Sequence, residues 1–348
     1  MRIAQVLTAS TGGIGRHVAS IAPRLAARGH TVRVYCPAET AAAHGLSERG
    51  LDVRALTDLS RVRGADVVHA HGYKAGGLCW PIARLAGVPL VVSWHNAVLG
   101  GQRSAGVARL LQSAVARGAD LTLGASSDLV AEARRLGARR ARLLAVAAPP
   151  LPPATVSRAA ARASLGLADD ELLVLTVARL APQKNLSMVL DVAAALRRRN
   201  DLRFAVVGEG PERPALAGRI AAERLPVTLL GHRDDLGSLL AVADLALLTS
   251  TWEARALVAQ EALLAGLPLV STRVGGIAEL VGDAAVLVEP GDPRAAAQAV
   301  AALADDPAER ARLRDVGRRQ AATWPDEDQV VTDLLAAYQG VIGLGPPP

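Results

Sequence analysis

Two basic residues in the second half of the sequence lie where an anion could bind. Arg179 and Lys184 fall in the segment 177–185, which leaves a predicted strand, turns at Pro182 and enters a predicted helix. A helix N-terminus attracts anions because its N–H groups are unpaired and its dipole is positive there. Lys184 also stands out because the chain has only one other lysine, Lys74. We therefore expect Arg179 and Lys184 to bind a diphosphate, the alternative being an ordinary solvated loop.

Two glutamates follow further along the same half. Glu253 falls in the loop after the predicted strand Leu245–Leu248, and Glu261 lies almost two turns into the following helix. Carboxylates accept hydrogen bonds from hydroxyls, and these two could contact two places along one ligand, such as a sugar and a ribose. Such a pair also occurs on ordinary helix surfaces, so its significance comes from its position after Arg179 and Lys184.

Three glycine-containing segments each follow a predicted strand. In Gly12–His17 the dinucleotide-binding fingerprint would need a further glycine where Val18 stands, so the fingerprint fails and only a flexible loop is expected. Gly208–Pro211 and Gly275–Leu280 allow either a close approach of the backbone to a ligand or a simple turn into the next helix. The sequence leaves both interpretations open for these two segments.

Two histidines end predicted strands of the first half. His71 follows the run Asp66–Ala70, and His95 follows the run Leu90–Ser93. Because the carboxyl ends of parallel strands share one edge of a sheet, both side chains are expected at that edge. A lone histidine is more often structural than catalytic, and both roles stay open for His95.

Short apolar runs alternate with amphipathic segments of helix length along the whole chain. Ile3–Leu7 and Thr31–Cys36 are of strand length, and Gly13–Arg28 is a typical intervening helix. This alternation predicts the α/β class, with parallel sheets covered by helices on both faces. Ligands of such open sheets bind beyond the carboxyl ends of the strands, so two sheets in tandem predict a site in the cleft between them.

A proline-rich segment, 147–153, interrupts the alternation. Its four prolines cannot continue a helix or a central strand, which predicts a stiff connection between two domains. The predicted domains are residues 1–150 and 151–348. A last amphipathic stretch at 327–342 follows the second sheet and is a candidate to pack back on the first domain.

The composition is typical of a folded globular protein with anionic partners. Of the 348 residues, 51% are hydrophobic and 21% charged, which excludes a disordered chain, and the net charge of +6 favours nucleotides, phosphates or an anionic membrane. Aromatic residues make up 2%, which leaves few stacking platforms for nucleic acid. Cys36 and Cys79 are far apart, so neither a disulfide nor a metal cluster is expected. The start resembles a strand rather than a secretion signal, and we expect a cytoplasmic protein.

Taken in order, the motifs resemble the retaining family-4 glycosyltransferases of the GT-B fold. The features that carry this resemblance are Gly-Gly-x-x-x-His at 12–17, His95, Arg179 with Lys184, and Glu253 with Glu261. The resemblance covers nearly the whole chain. It implies two Rossmann-like domains, doubly wound around parallel sheets and facing a central cleft, the first binding the acceptor and the second the donor. It also implies transfer from a nucleotide-diphosphate sugar, UDP- or GDP-linked, with retention of anomeric configuration.

The resemblance implies roles for the charged residues of the second domain. Arg179 and Lys184 would hold the donor diphosphate and the charge that develops as it leaves. These cations would replace a metal ion, so neither a metal nor another cofactor is expected. Glu253 would bind hydroxyls of the transferred sugar, and Glu261 would bind those of the ribose.

The remaining matched positions also receive roles from the resemblance. Gly13 would let the N-terminal loop close over the donor. The backbone at Leu257 and Val258, at the start of a helix, would cap a phosphate. His95 would lie beside the reacting sugar.

One position departs from the family pattern. The family usually has glycine after the first glutamate, whereas Ala254 and Arg255 follow Glu253 here. The methyl group of Ala254 could narrow the sugar pocket, and Arg255 could add a phosphate contact. This departure bears on the choice of donor and leaves the expected type of reaction unchanged.

Other functions and partners remain open at this point. A sugar-nucleotide epimerase or a phosphorylase could use a similar scaffold, although a phosphorylase would need a lysine for pyridoxal phosphate, and a catalytically idle sugar-nucleotide-binding protein is a further alternative. The sequence does not identify the acceptor, which could be lipid-linked or a small molecule. The segment 134–142, together with Arg103, Arg109 and Arg117, could contact an anionic membrane at the inner face, the alternative being a solvated basic surface.

Overall fold

The computed structural model describes residues 1–10, 12–97, 102–151 and 153–343, with the backbone alone for 102–105. The chain divides into two compact units, one of residues 1–149 and 325–348 and one of residues 150–324. The strands are β1 Arg2–Leu7, β2 Thr31–Tyr35, β3 Asp52–Arg54, β4 Val67–His71, β5 Leu90–Trp94, β6 Leu121–Gly124, β7 Ala141–Leu143, β8 Leu172–Val177, β9 Leu202–Val207, β10 Val227–Gly231, β11 Leu245–Leu248, β12 Leu269–Thr272 and β13 Ala285–Val288. The helices are α1 Gly13–Ala27, α2 Ala38–Ala43, α3 Tyr73–Ala86, α4 Gln102–Gly118, α5 Ser127–Arg135, α6 Arg158–Ser164, α7 Leu186–Ala195, α8 Arg213–Glu223, α9 Leu236–Val242, α10 Leu257–Leu264, α11 Ile277–Val281, α12 Pro293–Asp305, α13 Pro307–Ala321 and α14 Glu327–Ile342. Short 3-10 segments span Leu56–Gly64, Pro182–Lys184 and Gly282–Ala284.

The first unit is built on a parallel sheet with the strand order β3-β2-β1-β4-β5-β6-β7. Every strand pair in it is parallel. The order changes direction between β1 and β4, so the loops after these two strands leave the sheet at its switch point. All five residues of β4 are buried, as expected for a strand covered by helices on both faces.

The last helix, α14, belongs to this first unit. Its residues Val330, Leu334 and Tyr338 are buried in the same apolar core as Ile21 of α1. Gln5 Nε2 on β1 donates a hydrogen bond to the Tyr338 hydroxyl at 2.9 Å. The end of the chain therefore completes the interior of the unit that the start of the chain begins.

The second unit repeats the doubly wound pattern with the order β10-β9-β8-β11-β12-β13, again with parallel pairs. Its switch point lies between β8 and β11. The loop after β8 carries Arg179 and Lys184, and the loop after β11 carries Glu253. The loops that carry these three predicted residues therefore leave the sheet at its switch point.

Short edge strands are the main difference from the elements expected from the sequence. β3, β7 and β13 were not predicted. The sequence of β3, Asp-Val-Arg, has charges at both ends, a composition that suits an edge strand but gives no apolar run to recognise. The helix predicted after β11 is present and begins at Leu257, after the non-helical backbone of Ala256.

None of the described helices could cross a lipid bilayer. The longest of them, α4, has 17 residues, whereas a spanning helix needs ~20 predominantly apolar residues. Charged residues also interrupt α4, at Arg109 and Arg117.

Candidate functional site

The loop after β8 carries the two predicted phosphate-binding cations. Arg179 is exposed, and among the described residues its guanidinium makes no hydrogen bond or ion pair. Lys184 ends the 3-10 segment that begins at Pro182. Asn185 then takes the left-handed conformation, with φ at 47°, before α7 begins. The 3-10 turn therefore begins between the two cations, and the left-handed residue follows the second of them.

Two glycines support this loop through close contact of backbones. A Cβ atom on Gly208 would lie 2.0 Å from the carbonyl oxygen of Ala178, and one on Gly210 would lie 2.3 Å from that of Leu180. The Leu180 N–H also donates to the carbonyl oxygen of Glu209 at 2.9 Å. The close approach considered for the segment Gly208–Pro211 is therefore observed, but toward the neighbouring loop of the protein.

Lys184 and Glu253 form the central ion pair of the second unit. Lys184 Nζ lies 2.5 Å from Glu253 Oε1, and the Ser250 hydroxyl donates to the same carboxylate oxygen at 2.7 Å. Glu253 is 8% exposed. A largely buried carboxylate needs such partners because desolvation disfavours its charged form.

The two loops meet because hydrogen bonds join them directly. The Thr251 N–H donates to the Gln183 carbonyl oxygen, and Gln183 Nε2 donates to the Trp252 carbonyl oxygen, both at 2.8 Å. The Thr249 hydroxyl donates to the Lys184 carbonyl oxygen at 3.0 Å. Since the loops follow neighbouring strands β8 and β11, this cross-bonding fixes the ion pair at the switch point of the sheet.

The Gly275–Gly276 pair holds the Glu253 loop from the other side. The Gly276 N–H donates to the Glu253 carbonyl oxygen at 2.9 Å. Gly275 has φ at 49°, and a Cβ atom there would lie 2.0 Å from the same oxygen. Only glycine allows both the positive φ and this contact. Here too the close approach is to a protein loop.

The helix α10 carries the second glutamate. It begins at Leu257, and its N-cap Ala256 provides no side-chain hydrogen bond, so the first-turn N–H groups around Leu257 and Val258 have no side-chain cap. Glu261, in the second turn, is 1% exposed. The predicted roles of Glu261 and of the helix start stay predictions.

Arg255 has a different environment from the phosphate contact expected for it. Its guanidinium carbon lies 5.9 Å from the ring centroid of Trp324, a cation–π geometry. Burial lowers the pKa of Arg255, while nearby Glu279 acts in the opposite direction. Trp324 itself donates its indole N–H to the carbonyl oxygen of Leu280 at 3.1 Å. The guanidinium thus packs on Trp324 within the second unit, and the phosphate contact expected for Arg255 stays a prediction.

Four histidines lie together in the first unit. His69 and His71 are on β4, His95 follows β5, and His17 is on α1. The ring centroid of His95 is 5.4 Å from those of His71 and His17. One nitrogen from each of His17, His71 and His95 lies within 4.8 Å of the other two. His71 and His95 were predicted from the sequence as strand-end residues, whereas His69 was not predicted.

Gln5 links this group to the last helix. Its amide nitrogen donates to the Tyr338 hydroxyl, so the hydroxyl donates its own proton to His69 Nδ1, at 2.7 Å. His69 Nε2 then carries the proton and donates to the Ser93 hydroxyl at 2.7 Å. The sequence offered no signal for Tyr338, which is 333 residues from Gln5.

The other end of the Gln5 amide determines the proton positions on His71 and His95. An amide oxygen can only accept, so His71 Nε2 donates to Gln5 Oε1, at 2.7 Å. His71 Nδ1 is then an acceptor, and His95 Nε2 donates to it at 3.1 Å. His95 is held in one tautomer with Nδ1 unprotonated.

Burial keeps these imidazoles neutral. It lowers the pKa of His17 to about 4 and that of His69 to about 3. The pKa values of His71 and His95 are also far below the ordinary value, first because burial disfavours the imidazolium and then because neighbouring histidines would repel it. Neutral rings are the state that the hydrogen-bond chain requires.

Gly13 is the first residue of α1, and Ser10 shortly before it makes hydrogen bonds to Gly15 and Thr40. The Ser10 hydroxyl accepts from the Gly15 N–H at 3.2 Å, and the Ser10 N–H donates to the Thr40 hydroxyl at 3.1 Å. A Cβ atom on Gly15 would lie 2.0 Å from His44 Nε2. The role predicted for Gly13 over a donor stays a prediction.

Two doubly wound parallel sheets in tandem, the second with cations and a carboxylate at its switch point, define the GT-B class of glycosyltransferases. Two family models match the sequence, the glycosyl transferase 4-like domain over residues 12–149 and glycosyl transferases group 1 over residues 157–320. The chain belongs to this family of group 1 glycosyltransferases, as the resemblance indicated, and it is a glycosyltransferase that uses a nucleotide sugar.

Individual relatives agree with this assignment. The D-inositol 3-phosphate glycosyltransferase of Salinispora arenicola is 32% identical over 316 residues, which cover 81% of this chain and 70% of that protein. The alpha-D-kanosaminyltransferase of Streptomyces kanamyceticus is 29% identical over 304 residues, covering 80% and 78%. Among solved structures, Anabaena HepE in complex with UDP-glucose has a TM-score of 0.85 at 22% identity, covering 98% of this chain and 100% of that one. The glycosyltransferase WaaG has a TM-score of 0.73 at 20% identity, covering 97% and 100%. The predicted GT-B fold is confirmed.

Proposed function

We propose that this chain transfers a sugar from a UDP- or GDP-sugar to its acceptor with retention of anomeric configuration and without a metal ion. The observation that carries the proposal is the contact between Lys184 and Glu253. It joins a cation suited to a phosphate oxygen to a carboxylate suited to sugar hydroxyls, and the two come from different loops. A lysine ammonium has three N–H donors. One can stay with Glu253 while another binds a phosphate oxygen.

The donor diphosphate is assigned to the cations and to the start of α10. The exposed guanidinium of Arg179 is available to a ligand, and Arg suits two-point binding of phosphate oxygens. The first-turn N–H groups at Leu257 and Val258 add a site of positive potential. Glu261 would accept hydrogen bonds from the ribose hydroxyls. With these groups the positive charge that a metal would supply comes from the protein.

Transfer with retention requires positive charge near the leaving phosphate. In a front-face displacement the departing phosphate takes the proton of the acceptor while the new glycosidic bond forms on the face from which it leaves. Negative charge builds on the phosphate in this transition state, and Arg179 and Lys184 would stabilise it. His95 would lie beside the reacting sugar, and the loop before Gly13 would close over the donor.

The relatives support a uridine nucleotide and leave the acceptor open. Solved HepE structures are described as complexes with UDP and with UDP-glucose. The named relatives transfer to different acceptors, of which an inositol phosphate is one. A small polar molecule and a lipid-linked sugar are therefore both candidate acceptors for this chain.

A panel of nucleotide sugars tests the donor assignment. UDP-, GDP- and ADP-sugars are each added to the protein, and we expect one clear stabilisation, about 2.7 kcal/mol when the ligand is at 100 times its dissociation constant. Lys184→Ala and Glu261→Ala should each abolish the shift while the free protein stays folded. Lys74→Ala, which changes the exposed lysine of α3 in the first unit, is the matched control and should keep it. A full shift in Lys184→Ala would overturn the donor assignment.

Product analysis separates transfer from the alternative functions. An epimerase would convert the donor without an acceptor, and an idle binding protein would give no turnover with any acceptor. We expect acceptor-dependent product whose anomeric configuration, read from its NMR coupling constants, equals that of the donor. Excess EDTA should not abolish transfer, because no metal ion is needed to hold the donor diphosphate. A product of inverted configuration would remove retention from the proposal.

We also propose that the first unit contacts an anionic membrane through α4. Val107 and Leu110 are 71% and 74% exposed on this helix, and the exposed Arg109 lies between them. Exposed apolar residues with neighbouring cations suit an anionic lipid surface. The side chain of Arg103 is outside the described residues. Val107→Asp with Leu110→Asp should abolish co-sedimentation with anionic vesicles at physiological salt, and absence of co-sedimentation by the unchanged protein would remove the proposal.

A further inference from the structure

The imidazole of His17 contains an unexplained polar atom in the interior of the first unit. His17 is 3% exposed, and its Nε2 has no hydrogen-bond partner among the described residues. Buried polar atoms almost always have a partner, because an unsatisfied one costs the full desolvation of the group. This atom therefore points to a ligand that the protein itself does not provide.

Nitrogens of two other histidines lie close to the His17 ring. Nitrogens of His17, His71 and His95 all lie within 4.8 Å of one another, and His71 Nδ1 is 3.1 Å from His95 Nε2. In tetrahedral zinc sites the Zn–N distance is about 2.0–2.1 Å, which sets ligand nitrogens about 3.4 Å apart. The His71–His95 pair is already close to that separation, and the His17 nitrogen, which lies within 4.8 Å of both, would complete a triangle by moving closer.

The surroundings of His71 resemble the outer shell of a metal site. A metal-bound histidine usually donates its second ring N–H to a fixed oxygen, which orients the ring and leaves the first nitrogen free to bind. His71 Nε2 donates to Gln5 Oε1 at 2.7 Å, and Gln5 is held in turn by the Tyr338 hydroxyl. The lone pair of His71 Nδ1 is therefore aimed at the space shared with His17 and His95.

We propose that His17, His71 and His95 bind a divalent transition-metal ion, with zinc as the best match. Neutral imidazole nitrogen favours zinc and its neighbours over magnesium or calcium, which prefer oxygen. Three histidines leave a fourth position open for water or another ligand. His95 must move its proton from Nε2 to Nδ1 to bind the ion, so the metal replaces the His71–His95 hydrogen bond.

This site lies in the first unit and is separate from the cations proposed above to bind the donor diphosphate. Arg179, Lys184 and Glu253 belong to the second unit, and transfer without a donor-bound metal does not conflict with an ion elsewhere. The two proposals share His95 alone. Occupation of His95 by zinc would change its chemistry, so the proposal rests on binding measurements and not on the rate of transfer.

Calorimetric titration of the full-length, chelator-treated protein with zinc chloride tests the site. We expect one equivalent to bind, together with a rise in the melting temperature. His17→Leu should abolish both effects. The same change should raise the melting temperature of the metal-free protein, because it replaces an unsatisfied buried polar group by an apolar one of similar size. A residue with a purely structural role would not give these opposite effects.

Two further variants distinguish this site from zinc binding elsewhere on the protein. Gln5→Leu leaves the three ligands in place and should weaken zinc binding about 10–100-fold, the usual loss for an outer-shell partner. His232→Ala removes an exposed histidine of the second unit, with a side chain 78% exposed, and should leave binding unchanged. Absence of zinc binding by the unchanged protein, or equal binding by His17→Leu, would overturn the proposal. The second result would assign the bound zinc to surface histidines.

Discussion

Lys184 Nζ lies 2.5 Å from Glu253 Oε1, although 69 residues separate the two in the chain. The ammonium and the carboxylate come from the loops after β8 and β11, which hydrogen bonds hold together. The pair is therefore formed before any ligand arrives. A donor that binds here meets side chains already oriented, which lowers the entropy cost of binding.

The first prediction concerns the energy of this pair. Lys184→Met should lower the free energy of unfolding by about 1–3 kcal/mol, because it removes the cation that donates to the largely buried carboxylate of Glu253. Glu253→Gln should lower the free energy of unfolding by less in the Lys184→Met variant than in the unchanged protein. A double-mutant cycle by urea unfolding should give a coupling energy of about 0.5–3 kcal/mol. Additive effects of the two changes would contradict a coupled pair.

The second prediction concerns the glycine beneath the Glu253 loop. Gly275→Ala should destabilise the second unit and weaken the donor-induced thermal shift, because its Cβ would lie 2.0 Å from the Glu253 carbonyl oxygen. Gly291→Ala is the matched control in the same unit. It has φ at 80° and nothing within 4 Å of its added Cβ, so it should lose only the about 1–2 kcal/mol of a left-handed alanine. Equal losses in both variants would mean that the contact with Glu253 has no effect.

The third prediction concerns the hydroxyl that joins α14 to the histidines. Tyr338→Phe removes the acceptor of the Gln5 amide and the donor to His69, and should lower the free energy of unfolding by about 1–3 kcal/mol. The nitrogen NMR signals of His69 should also change, because its Nδ1 loses the hydrogen bond that it accepts from the Tyr338 hydroxyl. Tyr73→Phe at the start of α3 is the control, since the Tyr73 hydroxyl makes no hydrogen bond among the described residues. Unchanged His69 signals in Tyr338→Phe would contradict the proposed proton positions.

The fourth prediction concerns the stability of the first unit in acid. The backbone N–H and guanidinium of Arg2 donate to Asp66 and hold its pKa below the ordinary value of 3.8. Because the folded pKa is depressed, this contribution is fully present above about pH 4 and is lost as the pH falls through the folded pKa. In Asp66→Asn the free energy of unfolding should fall less steeply below pH 4. The difference from the unchanged protein should be about 0.5–1 kcal/mol, because the pair is partly exposed. A loss as steep as in the unchanged protein would contradict it.

Much of the fold and of the donor site follows from local sequence patterns. Alternating apolar runs and amphipathic segments predict parallel sheets covered by helices, and the turn at 177–185 predicts that its cations lie at the carboxyl end of a strand. The structure adds that this strand end is at the switch point of the sheet. The residue types then indicate the ligand. Arg179, Lys184 and Glu253 were selected in this way, and the structure brings Lys184 and Glu253 into contact.

The remainder depends on contacts between distant parts of the chain. The environment of Arg255 depends on Trp324, which no local pattern connects to it. For the glycines at 208 and 275 the sequence left open a close approach to a ligand or a simple turn, and the structure shows the backbone of a neighbouring loop beside each of them. Nothing near His69 or Gln5 indicates that a tyrosine of the last helix will complete their hydrogen bonds. Such partners are fixed by packing, which a single sequence does not display.

The position of α14 has a consequence for the order in which the protein is made. At about 5–20 residues per second, the ribosome spends roughly 10–35 s on residues 150–324 before it reaches the helix that fills the core of the first unit. During that interval the earliest strands have emerged but lack Tyr338. The unit that is synthesised first is therefore the last to acquire its native interior.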